Sequence, residues 1–374
     1  MSATILHVDF ERVFRGAENQ MWLLHEGLLQ QGWRSFCVCR ADTEFDRRAK
    51  ANAVPNVYAV GSSGIRAGEF DPGLAWALAK VIRQVRPDAL HAHSAHAAGV
   101  ALLSRLFLLG SGLRPKLIIH RTVTDPIRRF SRWKYNRADA VVAVCKAIKD
   151  GLVKQGVDEQ KIRVIFIGLP EAESCLSEES VNHEKTETKQ SANGTLRVGT
   201  LSALDGTQKD TATLINAFGR LAAQAPQSEL HIFGDGVDRP RLETLVGGLG
   251  LKSRVRFHGW WAGELSGALG QMDIFALSSL KEGASNVLVA AMRQGLPCVT
   301  TSVGGNPEVL GDAGLLVAPK DAEGMAQALL KLINDPGERR RLGSAARERS
   351  YLFSLKRYVI AMTACYSKAL NGRS

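Results

Sequence analysis

Short apolar runs punctuate the chain at regular intervals and set its reading. Ile5 to Asp9, Arg34 to Cys39, Val57 to Val60, Lys116 to His120, Ala138 to Val144 and Arg163 to Ile167 each read as a strand in the first half. Leu196 to Leu201, Glu229 to Phe233, Val255 to Gly259, Ile274 to Leu277, Cys298 to Thr301 and Gly314 to Val317 do so in the second. Near-continuous apolar runs of this length suit strands buried on both faces. Between them, apolar residues recur at helical spacing: Met21, Leu23, Leu24, Leu28 and Leu29 mark the first such face, and Ala97 to Leu109 another. Helices are predicted as well over Cys145 to Gln155, Ala212 to Ala223, Arg239 to Leu249, Asn286 to Gln294, Asp321 to Asn334 and Pro336 to Ser350. Strands alternating with helices predict an α/β fold with parallel sheets.

The 374 residues make two domains the default. Glu171 to Thr195 is mostly Glu, Ser, Lys, Thr, Asn and Gln and reads as a polar linker. It separates an N-terminal series over 1–170 from a C-terminal one over 196–351, and the helix from Leu352 to Leu370 is expected to cross back onto the N-terminal domain.

Charge adds a second asymmetry. Residues 1–170 hold 25 Lys and Arg against 15 Asp and Glu, so this half carries +10 of the net +11. Such a surface suits nucleic acid, an anionic membrane or a phosphorylated acceptor. With no nucleic-acid-binding signature alongside, nucleic acid is set aside. Arg128, Arg129, Arg132, Trp133 and Lys134 interleave cations with aromatics and are candidates for peripheral contact with anionic lipid; a solvated helix packing its aromatics inward explains them equally well. No apolar stretch is long enough to span a bilayer, and the first residues lack a signal-peptide layout. The six cysteines form no Cys-x2-Cys pair and read as buried free thiols, which points to a reducing, cytoplasmic setting.

Candidate chemistry lies where strands end. Glu282 and Gly283 follow the apolar run Ile274 to Leu277, and a helix opens at Asn286, Val287 and Leu288. Unpaired N–H groups and the helix dipole favour phosphate there, whereas a carboxylate suits sugar hydroxyls, accepting from two at once. Lys209 stands near another helix start, a place disfavoured for a cation unless an anion compensates. Gly234 and Gly236 repeat the strand-to-glycine-loop design, as Gly16 does less distinctly after the first strand. His93 and His120, with Arg121 and Asp125, fall at strand ends, where open α/β sheets bind ligands.

The stretch from Asp273 to Leu310 resembles the donor-site signature of retaining GT-B glycosyltransferases of family 4. Glu282, Gly283, Asn286, Met292, Gly295, Leu296, Pro297, Gly304, Gly305, Pro307 and Glu308 match in order. The resemblance is strong over 196–318 and looser over 1–170. It implies two Rossmann-like domains facing across a cleft, and transfer of a sugar from a nucleotide diphosphate sugar to a glycan or glycolipid with retention. A bacterial cell-surface polysaccharide or lipopolysaccharide core is the implied product, made at the cytoplasmic membrane's inner face.

The same resemblance implies roles. Glu282, Lys209 and His120 would be catalytic. Gly16, Thr200, Gly234, Gly236, Gly283, Asn286, Val287, Leu288 and Glu308 would hold the donor, and His93, Arg121 and Asp125 the acceptor. No metal and no cofactor are implied: Asp235 and Asp238 are set aside as a D-x-D metal pair, and nothing resembles a pyridoxal-phosphate lysine site. Arg15 stands where the first glycine of the family's G-G-A-E loop is usual, and two donor-site positions also depart from the pattern. Ala290 replaces the second glutamate, which would hold the ribose, leaving Asn306 or Glu308 to do so; Thr200 replaces the usual arginine. These departures keep a rival open, a non-catalytic relative that binds nucleotide sugar or a partner without turnover.

Overall fold

The computed structural model describes residues 3–61, 71–127, 131–170 and 194–372. It divides into two compact units, Met1–Pro170 with Ser354–Ser374, and Glu171–Phe353. The predicted linker, apart from its last residues, and Arg128 and Arg129 lie outside the described residues.

The first unit alternates strands β1 (Thr4–Val8), β2 (Arg34–Arg40), β3 (Val57–Val60), β4 (Ala89–Ala92), β5 (Lys116–Arg121), β6 (Ala140–Ala143) and β7 (Ile162–Val164) with helices. The helices are α1 (Gly16–Gln30), α2 (Glu44–Ala51), α3 (Pro72–Val85), α4 (Ala95–Phe107), α5 (Arg132–Arg137) and α6 (Lys146–Lys154). All pairings are parallel, in the order β3-β2-β1-β4-β5-β6-β7. Several helix starts have a local cause. Asp71 accepts from the Leu74 N–H at 3.0 Å ahead of Pro72, whose fixed φ suits a first helical position. Ser94 accepts from the Ala97 N–H at 3.2 Å to open α4.

The second unit carries β8 (Leu196–Leu201), β9 (Ser228–Phe233), β10 (Val255–Gly259), β11 (Ile274–Leu277), β12 (Cys298–Thr301) and β13 (Leu315–Val317), parallel in the order β10-β9-β8-β11-β12-β13. Its helices are α7 (Thr211–Leu221), α8 (Arg239–Gly248), α9 (Leu265–Leu269), α10 (Asn286–Arg293), α11 (Asn306–Leu310), α12 (Ala322–Asn334) and α13 (Pro336–Ser350). The last helix, α14 (Leu355–Asn371), belongs to the first unit. Its Tyr358, Val359, Met362 and Tyr366 pack with Leu24 and Leu28 of α1 over Ile5, Ala89, Ile118 and Val142 of the sheet.

Both sheets reverse strand order once, between β1 and β4 and between β8 and β11. Such a switch point opens a crevice at the carboxyl ends of the strands, because the flanking connections leave in opposite directions. The chain loads both places with polar side chains.

Candidate active site

In the second unit the loops after β8 and β11 are tied together. The Leu280 N–H donates to the Gln208 carbonyl at 2.7 Å, and Ser278 Oγ to that of Asp210 at 2.9 Å. Asp205 holds the first loop from within, its Oδ1 accepting from the N–H groups of Thr207 and Gln208 at 3.1 and 3.0 Å. This delivers Lys209 to Glu282. The ammonium donates to Glu282 Oε1, which also accepts from Ser279 Oγ at 2.7 Å. Among the described residues no partner occupies Glu282 Oε2. The carboxylate side chain is 9% exposed, the lysine 22%. A cation and a carboxylate with spare acceptor capacity can serve a phosphate and a sugar hydroxyl together.

Beside them, α10 begins. Ser285 accepts from the Leu288 N–H at 3.3 Å, so that donor is already taken and the buried Leu288 side chain serves the core. Asn286 and Val287 form the half-buried first turn. The Gly305 N–H donates to the Gly283 carbonyl at 2.8 Å, joining the loops after β11 and β12. Gly234 has φ +130°, and a Cβ there would lie 1.9 Å from the Ser202 carbonyl oxygen; at Gly236 it would lie 2.3 Å from that of Leu204. The loop after β9 therefore crosses the one after β8 at backbone contact, which only glycine permits. Thr200 is a buried strand residue, 2% exposed. Asp235 and Asp238 are paired with Arg239 and Arg241 at 2.9 and 2.6 Å.

The first unit has its own polar cluster. His7 and His91 are register partners on β1 and β4, and His93 and His120 extend the same face. His7 Nδ1 meets His93 Nε2 at 3.0 Å, and His120 Nδ1 meets His91 Nε2 at 3.3 Å. Burial holds His7, His91 and His93 well below the usual histidine range, reinforced by neighbouring imidazoles, and brings His120 down to about 4. All four are therefore neutral at pH 7. Asp9, after β1, accepts from Ser94 Oγ at 3.0 Å and is pushed up to about 8 by burial and the carboxylates of Glu18 and Glu11. Ligand nitrogens of His7, His91 and His93 fall within 4.8 Å of one another, the geometry of a metal trio. His91, however, already spends one nitrogen on His120 and the other on Tyr366, so an ion would have to displace one of them.

Two family models match. "Glycosyltransferase Family 4" covers residues 14–172, and "Glycosyl transferases group 1" covers 195–335. Both halves of the chain are glycosyltransferase domains. The glycosyltransferase is 27% identical over 309 residues to N-acetyl-alpha-D-glucosaminyl L-malate synthase of Bacillus anthracis, covering 75% of this chain and 74% of the relative. Over 143 residues it is 36% identical to the lipopolysaccharide core biosynthesis glycosyltransferase LpsE of Rhizobium meliloti, 38% of this chain and 41% of that protein. In fold it resembles Anabaena Alr3699/HepE, crystallised with UDP, at a TM-score of 0.79 and 21% identity over 98% of this chain and 100% of the other. The architecture is GT-B, two Rossmann-like domains.

Several sequence expectations change in detail. Lys134 cannot meet a membrane: it is fully buried, and its Nζ donates to the Ala95 carbonyl at 3.0 Å. Arg132 and Trp133 remain exposed. Arg121 is committed to its own loop, donating to the Asp125 carbonyl and, at 3.4 Å, to Tyr135 Oη. Asn306 donates to Thr300 Oγ1 at 3.0 Å and is fully buried, its unpartnered Oδ1 included, and that burial sets it aside as a ribose ligand. Gly16 is exposed at the start of α1, where Glu18 already accepts from the Arg15 N–H at 2.7 Å. Sequence reasoning passed over Ser279, Asp205, Asp9, His7 and His91. For His91 a signal existed, since it stands two residues before His93 and so shares its face of the strand.

Proposed function

We propose that the protein transfers a sugar from a nucleotide diphosphate sugar to a glycan or glycolipid acceptor, with retention of anomeric configuration and without metal or cofactor. The Lys209–Glu282 pair carries this reading, because it sets a cation and a carboxylate side by side where two strand-end loops and a helix N-terminus meet. Lys209 stabilises negative charge growing on the departing phosphate, aided by the first turn of α10. Glu282 accepts from sugar hydroxyls and orients the ring. The reading includes a same-face substitution, as the family resemblance implies, with the leaving phosphate taking the acceptor's proton. Glu308 holds the ribose in this account.

The basic first domain and the relationship to LpsE favour a phosphate-bearing lipid-linked or cell-surface glycan acceptor. The reaction then runs at the inner face of the cytoplasmic membrane. No helix among the described residues is long and apolar enough to cross a membrane, so contact would be peripheral. Ala290 and Thr200 favour a second reading, a binder without turnover. Calorimetry across UDP-, GDP- and ADP-linked sugars separates them. One donor should bind, with affinity lost in Glu282→Ala, and anomeric NMR of the product should report retention. Binding without transfer to any acceptor supports the second reading; no heat with any donor overturns both.

A further inference from the structure

Ser279, the second residue after β11, is fully buried and its backbone is clamped from both sides. Its carbonyl accepts from Thr301 Oγ1, at the end of β12, at 2.6 Å. Its neighbours are tied to the loop after β8: Ser278 donates through its hydroxyl to the Asp210 carbonyl at 2.9 Å, and Leu280 through its N–H to the Gln208 carbonyl at 2.7 Å. From this fixed position the Ser279 hydroxyl lies 2.7 Å from Glu282 Oε1, the oxygen that Lys209 also reaches.

Charge sets the direction of that contact. A carboxylate paired with an ammonium has no proton to give, so Ser279 donates. Both donors then fall on Oε1, and Oε2 has no partner among the described residues. The Glu282 side chain keeps 9% of its surface open, so a ligand can reach it.

The two interactions do different jobs. An ammonium is a compact charge with rotatable donors and takes either oxygen of a carboxylate equally well. With Lys209 alone, Glu282 could exchange Oε1 for Oε2, and a ligand would meet an oxygen already engaged by the cation. A hydroxyl held in a buried, clamped loop has no such freedom. Its donor makes the two oxygens unequal.

We propose that Ser279 is a positioning residue that locks the Glu282 carboxylate and reserves Oε2 for a hydroxyl of the donor sugar. The inference rests on the transferase reading for the identity of that ligand. In that reading the phosphates fall to Lys209 and the first turn of α10, so Ser279 serves affinity for the sugar and not for the nucleotide.

The test is calorimetry of the full chain with UDP-, GDP- and ADP-linked hexoses, each beside its bare nucleoside diphosphate. Ser279→Ala should bind the sugar-bearing donor about tenfold more weakly, the low end for losing a hydrogen bond to a charged group. It should bind the bare diphosphate within about twofold of wild type. A serine that merely held the loop together would not separate the two, because a disturbed loop after β11 displaces the start of α10 and weakens both. Ser279→Cys, close in size but a weak donor, should behave in the same way and serves if the alanine variant does not fold. Equal losses for donor and diphosphate, or no loss for either, overturn the proposal and leave the transferase reading standing. A wild type that binds no sugar-bearing donor overturns the transferase reading, and the inference falls with it.

Discussion

The ammonium of Lys209 donates to Glu282 Oε1 across 73 positions of sequence, in a site built from two loops. The pair is part-buried, so each charge offsets the other's loss of water. An incoming diphosphate changes that balance by competing for the lysine. Lys209→Ala should lower turnover by roughly 30- to 1000-fold, the range for removing one preorganised charge-stabilising donor. Stability should fall less than in proportion. In a double-mutant cycle of urea unfolding, Glu282→Gln should recover part of the loss in Lys209→Ala, because it removes the stranded charge. Additive costs would mean that the two side chains do not interact in solution.

Much of this arrangement was legible in the sequence, for reasons particular residues make plain. The strands Ile274–Leu277 and Cys298–Thr301 coincide with their apolar runs, because each is buried along its whole length; Val57–Val60, Leu196–Leu201 and Val255–Gly259 coincide as well, although the first and last are partly exposed edge strands. Pro72–Val85 was passed over, although Asp71 and Pro72 form a proper helix start. Lys209 and Glu282 carried chemical signals of their own. Ser279 did not, since a loop serine is common and its value lies in the 2.7 Å contact with a distant carboxylate. Lys134 misled because spacing along a short basic run does not reveal which side chain turns inward.

Lys134 supplies a test in which stability and lipid binding part company. Its buried ammonium donates to the Ala95 carbonyl at the start of α4. Lys134→Met should cost about 1.5–3 kcal/mol, the range for a hydrogen bond made by a charged group, seen as a lower unfolding midpoint in urea. Flotation with anionic vesicles should not change. Arg132→Gln/Trp133→Ala should do the reverse, weakening flotation at low salt with little effect on unfolding. If Lys134→Met lost vesicle binding at full stability, that side chain would have to face outward.

The histidine cluster predicts an acid limit. Burial brings His120 from the ordinary 6.5 to about 4 and holds His7, His91 and His93 well below 6.5. The unfolded chain therefore takes up protons as pH falls below 6.5, while the folded first domain does not. Stability declines with falling pH by about 1.4 kcal/mol per pH unit for each such group. Asp9 has the opposite sign. Its carboxyl is raised from 3.8 to about 8, so its contribution is complete below 3.8 and is lost as pH rises through 8. Four imidazoles outweigh one carboxyl, and stability should rise from pH 4 to 6.5. In urea unfolding at pH 5, 6 and 7, His120→Gln should flatten the acid limb by about one proton's slope. An unchanged slope would show that His120 titrates normally.

Ala290 poses the last question, which carboxylate holds the donor's ribose. Asn306 is set aside because it is fully buried: its Nδ2 donates to Thr300 and Thr301, and its Oδ1, though without a partner, has no exposed surface. Glu308, half-buried in α11, is the remaining candidate of the two. Hydrogen bonds from ribose hydroxyls to a carboxylate contribute about 1.5–3 kcal/mol each, so Glu308→Gln should weaken donor binding about tenfold or more. Ala290→Glu in the otherwise native chain should also weaken it, since a second carboxylate serving one ribose adds like-charge repulsion. Combining Ala290→Glu with Glu308→Ala moves the carboxylate back to the family's usual position and should recover affinity relative to Glu308→Ala alone. Calorimetry with the bound donor decides. A tenfold gain in affinity for Ala290→Glu alone would show that Glu308 does not hold the ribose and that the site lacks a carboxylate altogether.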